Sequence, residues 1–436
     1  MRRSAGAIVA VALVASSSCL SSEPSPTLPP SAPSPTATKN PPAVTASPTG
    51  SPSAVVSPSL SPAAVPAIVV EPVDTEWTRA IDGIVAGHPV SVAVGVSGRV
   101  LYVYRGSQRR IPASGQKLLT SMAALDLLGR GHRFPTAAGA ATRPDDGVVR
   151  GDLWLVGGGD PELGAARLAQ LASSLQAAGL RRITGAVIGD TSTFSRRWWA
   201  PGWVEGISRS YVRRPTALVY DGNVATRPEL AAAASLTTSL RGLGITVGGD
   251  PRTGAAPNTL RELARLRSAP LSDLVARQNH GSLNLHAEVL LRAIGAEQGD
   301  AGTTAAGAEQ VVAWASSAGA DVRVRDGSGL SHGDAVSAVD LVALLLAAED
   351  QRWGTVFEAS LPAPGQGTLE GRLAGAPIRA KTGTLFTVPC SALAGYGRDA
   401  AGSRFTFAVL SEGITKASSI AIEDAVVRVL TAARIA

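Results

Sequence analysis

Residues 111–120 read Ile111-Pro112-Ala113-Ser114-Gly115-Gln116-Lys117-Leu118-Leu119-Thr120, and the apolar spacing continues through Met122, Leu125 and Leu128 to Gly129. That spacing predicts a helix that starts near Ser114 and stops at the glycine. Three residues is just under one helical turn, so the Ser114 hydroxyl and the Lys117 amine share a face. A serine hydroxyl is a poor nucleophile until a neighbour takes its proton. A lysine whose proton affinity is lowered by burial and nearby positive charge can do that. Only four of the 40 basic residues are lysines, namely Lys39, Lys117, Lys381 and Lys416. Arginine stays protonated in proteins, so a lysine kept in so arginine-rich a chain marks a need for a titratable amine or a compact ammonium.

Two further strings carry the same kind of chemistry. Gln278-Asn279-His280-Gly281-Ser282-Leu283-Asn284-Leu285 puts a hydroxyl and an amide two residues apart on an expected turn. By itself this is ordinary turn and helix-capping composition. Lys381-Thr382-Gly383-Thr384 closes an expected strand, with Lys381 and Gly383 on one face and Thr382 on the other. The glycine permits close approach of a ligand, and the cation suits a carboxylate.

Composition narrows the classes. The 436 residues are 45% hydrophobic and 17% charged, enough for one large domain or two ordinary ones with a real core. Two cysteines exclude a disulfide scaffold and a cysteine-clustered metal site. The five histidines, His88, His132, His280, His286 and His332, have no metal-ligand spacing, so neither a metal nor an organic cofactor is expected.

The amino terminus reads as an export signal over residues 1–19: Arg2 and Arg3 precede the small-apolar run Ala5 to Ala15. Eleven such residues suit a signal core of about 7–15 and fall short of the roughly 20 that span a bilayer. Cys19 stands where a lipoprotein signal places its acylated cysteine, although Ser16 occupies a position usually held by an aliphatic residue; plain cleavage between Ala15 and Cys19 is the alternative. Residues 20–75 read as a disordered Pro/Ser/Thr/Ala tether, with 13 of the 29 prolines between Ser21 and Pro66. An extracytoplasmic protein follows, secreted or held at the envelope, with no contact to the membrane except through an N-terminal anchor.

From Glu76 onward, strands and helices alternate irregularly. A hairpin is expected from Ser91–Val96 and Val100–Tyr104, and a meander from strands near 377–381, 392–396 and 405–410. Strands at both ends around a helical middle suggest an α+β domain. The aromatic, basic stretch of Trp198, Trp199 and Trp203 with Arg196, Arg197, Arg209, Arg213 and Arg214 is read as internal packing, with anionic wall polymer as the alternative; nucleic acid is not an expected partner of an exported protein. Gly157-Gly158-Gly159-Asp160-Pro161 lacks a phosphate-loop ending and reads as a turn. Cys390 reads as a buried structural thiol, and Glu288 is assigned no catalytic role.

In order, the three strings are the Ser-x-x-Lys, Ser-x-Asn and Lys-Thr-Gly elements of penicillin-recognising serine enzymes. With Gly151-Asp152-Leu153-Trp154-Leu155, Gly158-Gly159-Asp160-Pro161, Asp326-Gly327-Ser328-Gly329-Leu330-Ser331 and Lys381-Thr382-Gly383-Thr384-Leu385, the chain from about residue 85 onward resembles D-alanyl-D-alanine carboxypeptidases/endopeptidases of the penicillin-binding protein 4 type. The resemblance implies the serine β-lactamase/DD-peptidase (transpeptidase-like) fold, an antiparallel sheet flanked by helices. It implies Ser114 as acylated nucleophile, Lys117 as general base, Ser282 as proton relay, Asn284 on the substrate amide and Lys381 as positive charge near the substrate carboxylate. Thr382, Gly383 and Thr384 would line the substrate, and the backbone N–H groups of Ser114 and Thr384 would form the oxyanion hole. The substrates would be peptidoglycan stem peptides, and β-lactam antibiotics would be covalent inhibitors. A β-lactamase or esterase on the same fold and a non-catalytic wall-binding homologue are the rival readings.

Two departures stand out. Longer relatives insert two extra domains between the first and second motifs, but here 165 positions separate Lys117 from Ser282. One inserted subdomain is therefore expected at 140–262, with the DD-peptidase domain at 76–139 and 263–436. The second departure is His332 after Ser331, where relatives commonly have Arg, which leaves recognition of a diaminopimelate-like side chain open.

Overall fold

A six-stranded sheet runs in the order Val69–Val70, Arg99–Tyr104, Val90–Val96, Arg404–Glu412, Cys390–Arg398, Ile378–Leu385 in the computed structural model, which describes residues 69–298 and 302–435. The leader, Cys19 and most of the tether lie outside the described residues. All neighbours in this sheet are antiparallel except the first pair. The meander strands are longer than their apolar cores suggested, because pairing continues through polar ends such as Arg398 with Arg404.

Side-chain alternation sends the two faces of this sheet into different cores. Phe405, Phe407 and Val409 pack with Trp77, Ile81 and Val85 of the helix Glu76–Val85 and with Ile422, Val426 and Leu430 of the helix Lys416–Ala432. Ala408, Leu410, Ala392 and Ala394 face the other way, onto the helices Gln116–Ala124, Asn284–Gln298 and Ala338–Glu349. Every residue of Gln116–Ala124 is buried, polar ones included, so this helix is the axis of the larger core.

A second, five-stranded sheet, in the order Arg252–Gly254, Val187–Asp190, Leu153–Gly157, Pro135–Ala140, Arg261–Arg267, packs with the helices Ala165–Ala177 and Pro228–Gly242 around a separate core of Leu153, Leu155, Leu168, Leu171 and Leu236. The helix expected to begin at Ser114 instead opens as a 3₁₀ turn, Ala113–Gly115, that runs straight into Gln116–Ala124. Residues 69–75, read above as the end of the tether, lie on the sheet: Val69 and Val70 pair with Arg99 and Val100, and the N–H groups of Glu71 and Val73 donate to Val100 and Leu101. The edge strand Arg99–Tyr104 would otherwise offer a row of unpaired backbone groups, which explains the docking.

Candidate active site

The three strings meet where the 3₁₀ turn, a junction between two helices and the edge strand of the large sheet converge. Ser114 sits on the turn, just after Ala113, whose φ is +48°. In a 3₁₀ turn residues three apart nearly eclipse, and the Lys117 Nζ lies 3.0 Å from Ser114 Oγ. Ser282 ends the helix Leu271–Gly281 in the left-handed conformation, φ +51°, and Asn284 starts the next helix two residues later. Glycine is the usual occupant of such a helix end; here a serine is held there at a cost of about 1–2 kcal/mol. Its hydroxyl accepts from Lys381 Nζ at 3.0 Å. Lys381 also donates to the Thr382 carbonyl at 2.7 Å.

Lys117 is fully buried and makes two shorter contacts, at 2.7 Å to Asn284 Oδ1 and 2.7 Å to the Ser328 carbonyl. Both partners can only accept. A neutral amine therefore spends its two N–H donors on them and leaves its lone pair toward Ser114, which is the orientation needed to receive the hydroxyl proton. Burial pushes the Lys117 amine down to about 8, against the pull of Asp326, Glu288 and Asp334, which favour its charged form. Lys381 is also fully buried, and burial together with the positive charge of Lys117 lowers its proton affinity well below that of a free lysine.

Gly383 has a role other than admitting a ligand. A Cβ there would stand 2.6 Å from the Pro112 carbonyl and 3.0 Å from the Ser114 nitrogen. Its absence lets the edge strand lie directly against the nucleophile's turn. Gly329, φ +80°, does the same from the opposite side, where a Cβ would fall 1.7 Å from the Ala113 carbonyl. On the edge strand the Ala380 N–H points outward, to the Pro362 carbonyl. Backbone groups alternate in direction along a strand, so the Thr384 N–H also points away from the sheet, toward the cleft.

That cleft has a volume of about 210 Å³ and is lined by Ser114, Ser282, Asn284 and Thr384, with Val204, Ser208 and Tyr211 on one side and Leu330 and Phe386 on another. Thr382 is not on its lining; its hydroxyl is bonded to Thr368 Oγ1 at 2.7 Å. The wall at Val204, Ser208 and Tyr211 carried no sequence signature. It is fixed to the site at three points: the Tyr211 carbonyl accepts from Asn284 Nδ2 at 2.9 Å, Ser331 donates to the Pro201 carbonyl at 2.6 Å, and Trp203 Nε1 donates to Asp326. Trp198, Trp199 and Trp203 pack edge-on against one another, and the Arg209 guanidinium lies over the first two. His332 Nε2 pairs with Thr387 Oγ1 at 2.7 Å beside the cleft. Cys390 packs with Ala113 and Leu385 behind the nucleophile's turn, where burial pushes its thiol up to about 12.

Comparison with known proteins agrees with this geometry. A D-alanyl-D-alanine carboxypeptidase of Actinomadura sp. (strain R39) is 30% identical over 441 residues, covering 80% of this chain and 81% of that protein. A carboxypeptidase of Mycobacterium tuberculosis is 30% identical over 393 residues, covering 80% and 83%. Among solved structures, penicillin binding protein 4 of Haemophilus influenzae superposes with a TM-score of 0.70 at 22% identity, over 80% of this chain and 98% of that one. The architecture is thus the α+β penicillin-binding-protein fold that the three strings implied. The family description D-Ala-D-Ala carboxypeptidase 3 (S13) matches residues 80–229 and 223–433, and the chain belongs to that family.

Proposed function

We propose that the chain is a serine-type D-Ala-D-Ala carboxypeptidase acting on peptidoglycan stem peptides, with DD-endopeptidase activity through the same chemistry. The observation that carries the reading is the buried Lys117 amine, 3.0 Å from Ser114 Oγ with its other two contacts on acceptors. In this reading, neutral Lys117 takes the Ser114 proton as the oxygen attacks the carbonyl between the two D-alanines. The N–H groups of Ser114 and Thr384 hold the developing oxyanion. As the C–N bond breaks, the proton passes from Lys117 by way of Ser282 to the departing amine. Water then enters and attacks the acyl carbon as Lys117 accepts its proton, and that proton passes to Ser114 Oγ as the ester bond breaks.

Asn284 orients the substrate amide, and Lys381 faces the terminal carboxylate with Thr384 beside it on the cleft. Arrival of an anion favours the charged form of Lys381, which burial alone disfavours. No metal or organic cofactor is needed for these steps. β-Lactams would acylate Ser114 and be released slowly. The family and the export-like leader support work outside the cytoplasm, secreted or tethered through Cys19; no helix among the described residues is long and apolar enough to cross a membrane. The separate core of the second sheet supports one inserted subdomain, but since the strands Pro135–Ala140 and Arg261–Arg267 both belong to that sheet its bounds lie nearer 135 and 267 than the expected 140–262.

The test is the intact mass of the protein after mixing with benzylpenicillin, followed from minutes to hours, with Ser114→Ala as control. A lasting adduct that maps to Ser114 and vanishes in the variant supports the peptidase. Rapid catalytic loss of the drug would point to a β-lactamase. Folded protein that neither binds nor destroys the drug would favour a non-catalytic homologue.

A further inference from the structure

Behind Lys117 lies a set of buried carboxyls that the reaction above does not use. The Ser328 carbonyl that receives Lys117 belongs to the turn Asp326-Gly327-Ser328-Gly329. Glu288 Oε1 accepts the N–H groups of both Gly327, at 3.0 Å, and Ser328, at 2.8 Å. Asp326 holds the far side of the turn through the N–H groups of Gly329 and Ser331, and Asp334 Oδ1 receives those of Arg325 and Asp326. Glu288 is fully buried, and its Oε2 has no partner among the described residues. It lies one turn along the helix from Asn284, on the same face, and Arg292 follows one turn later. Asn284 touches Lys117 directly, and Glu288 reaches it through one residue, Ser328, whose N–H it accepts and whose carbonyl meets the amine.

We propose that Glu288 is a positioning residue for Lys117: it holds the 327–328 turn so that the Ser328 carbonyl aims the amine at Ser114. The proposal rests on Lys117 being the proton acceptor of the reaction proposed above. Two N–H groups of one turn point at Glu288 while the carbonyl of the same turn points at Lys117, so releasing the first loosens the second and leaves Asp326, through the Gly329 N–H, to hold that peptide alone. Burial, reinforced by the neighbouring Asp326, pushes the Glu288 carboxyl up to about 8, so near neutral pH it works through its acceptor oxygen and not through a charge.

The experiment measures the acylation rate of the full-length chain by a fluorescent penicillin across pH 5.5–9.5, for wild type, Glu288→Gln and Glu288→Ala, with thermal melts to confirm folding. Alanine removes the acceptor of both N–H groups, and the rate should fall roughly 10–100-fold, the scale of a misplacement on the order of 1 Å. Glutamine keeps the acceptor oxygen and mimics the neutral acid, so it should recover most of that loss. A folded alanine variant that acylates like wild type overturns the proposal, as does a folded glutamine variant that is no faster than alanine. A wild-type chain that fails to acylate strikes instead at the proposed function, so the two failures are distinguishable.

Discussion

The buried Lys117 amine makes the rate of acylation a titration curve. Burial lowers it from 10.5 to about 8, and the neutral form is the one that accepts the Ser114 proton. The rate should therefore rise with pH, reach half its plateau near 8 and flatten above 9. At pH 7 about one molecule in eleven has the neutral amine, and at pH 6 about one in a hundred, so the rate should fall roughly tenfold per unit below 7. The shift itself is worth about 300-fold in neutral amine at pH 7, compared with a lysine left at its free value. Stopped-flow measurement of the second-order acylation constant with a fluorescent penicillin, at constant ionic strength from pH 5.5 to 9.5, reads this directly. Because Lys117 is buried, the midpoint should move little between low and moderate salt. A constant that is flat from pH 6 to 9, or that declines as pH rises through 7, would refute Lys117 as base.

Gly383→Ala places a methyl 2.6 Å from the Pro112 carbonyl; the edge strand must retreat from the nucleophile's turn, costing about 1–3 kcal/mol of stability in thermal melts and about 10²-fold in acylation. A variant with wild-type rate would show that this contact does not position Ser114. Ser282→Gly relieves a left-handed serine, so stability should hold or rise by up to about 1 kcal/mol while turnover of a D-Ala-D-Ala peptide is lost; a lower melting temperature with turnover intact would contradict both halves. Cys390 should resist a thiol reagent at pH 8 in the native protein and react in denaturant, since burial raises its thiol to about 12; prompt labelling of the folded chain would show the turn at Ala113 to be open.

The catalytic strings were legible because their chemistry is local: a lysine three residues after a serine has to share its face, and lysines are scarce enough here to be conspicuous. The strands Pro135–Ala140 and Arg261–Arg267 were not. The first is mostly small residues, the second is dominated by arginine, and both exist through pairing with each other; strand formation of that kind depends on neighbours distant in sequence. The helix Glu76–Val85 was hidden by its position directly after a proline-rich stretch. Gly383 was read as making room for a ligand, whereas its bare α-carbon makes room for the backbone of 112–115. Glu288 was set aside as an ordinary helix residue, since nothing in a linear string shows that the turn at 327–328 comes to rest on it.

The wall at 201–211 limits where this chain tolerates a change of length. Val204, Ser208 and Tyr211 flank the cleft, and the Tyr211 carbonyl steadies the same Asn284 that receives Lys117. A deletion that removed this stretch would unroof the cleft and leave the asparagine amide without its anchor. The turn around Asp145 and Asp146 and the helix Ala165–Ala177 make no such contribution to the cleft lining. Changes of length between the first two motifs should therefore be tolerated before residue 198 and after residue 223, and not within the tryptophan segment between them.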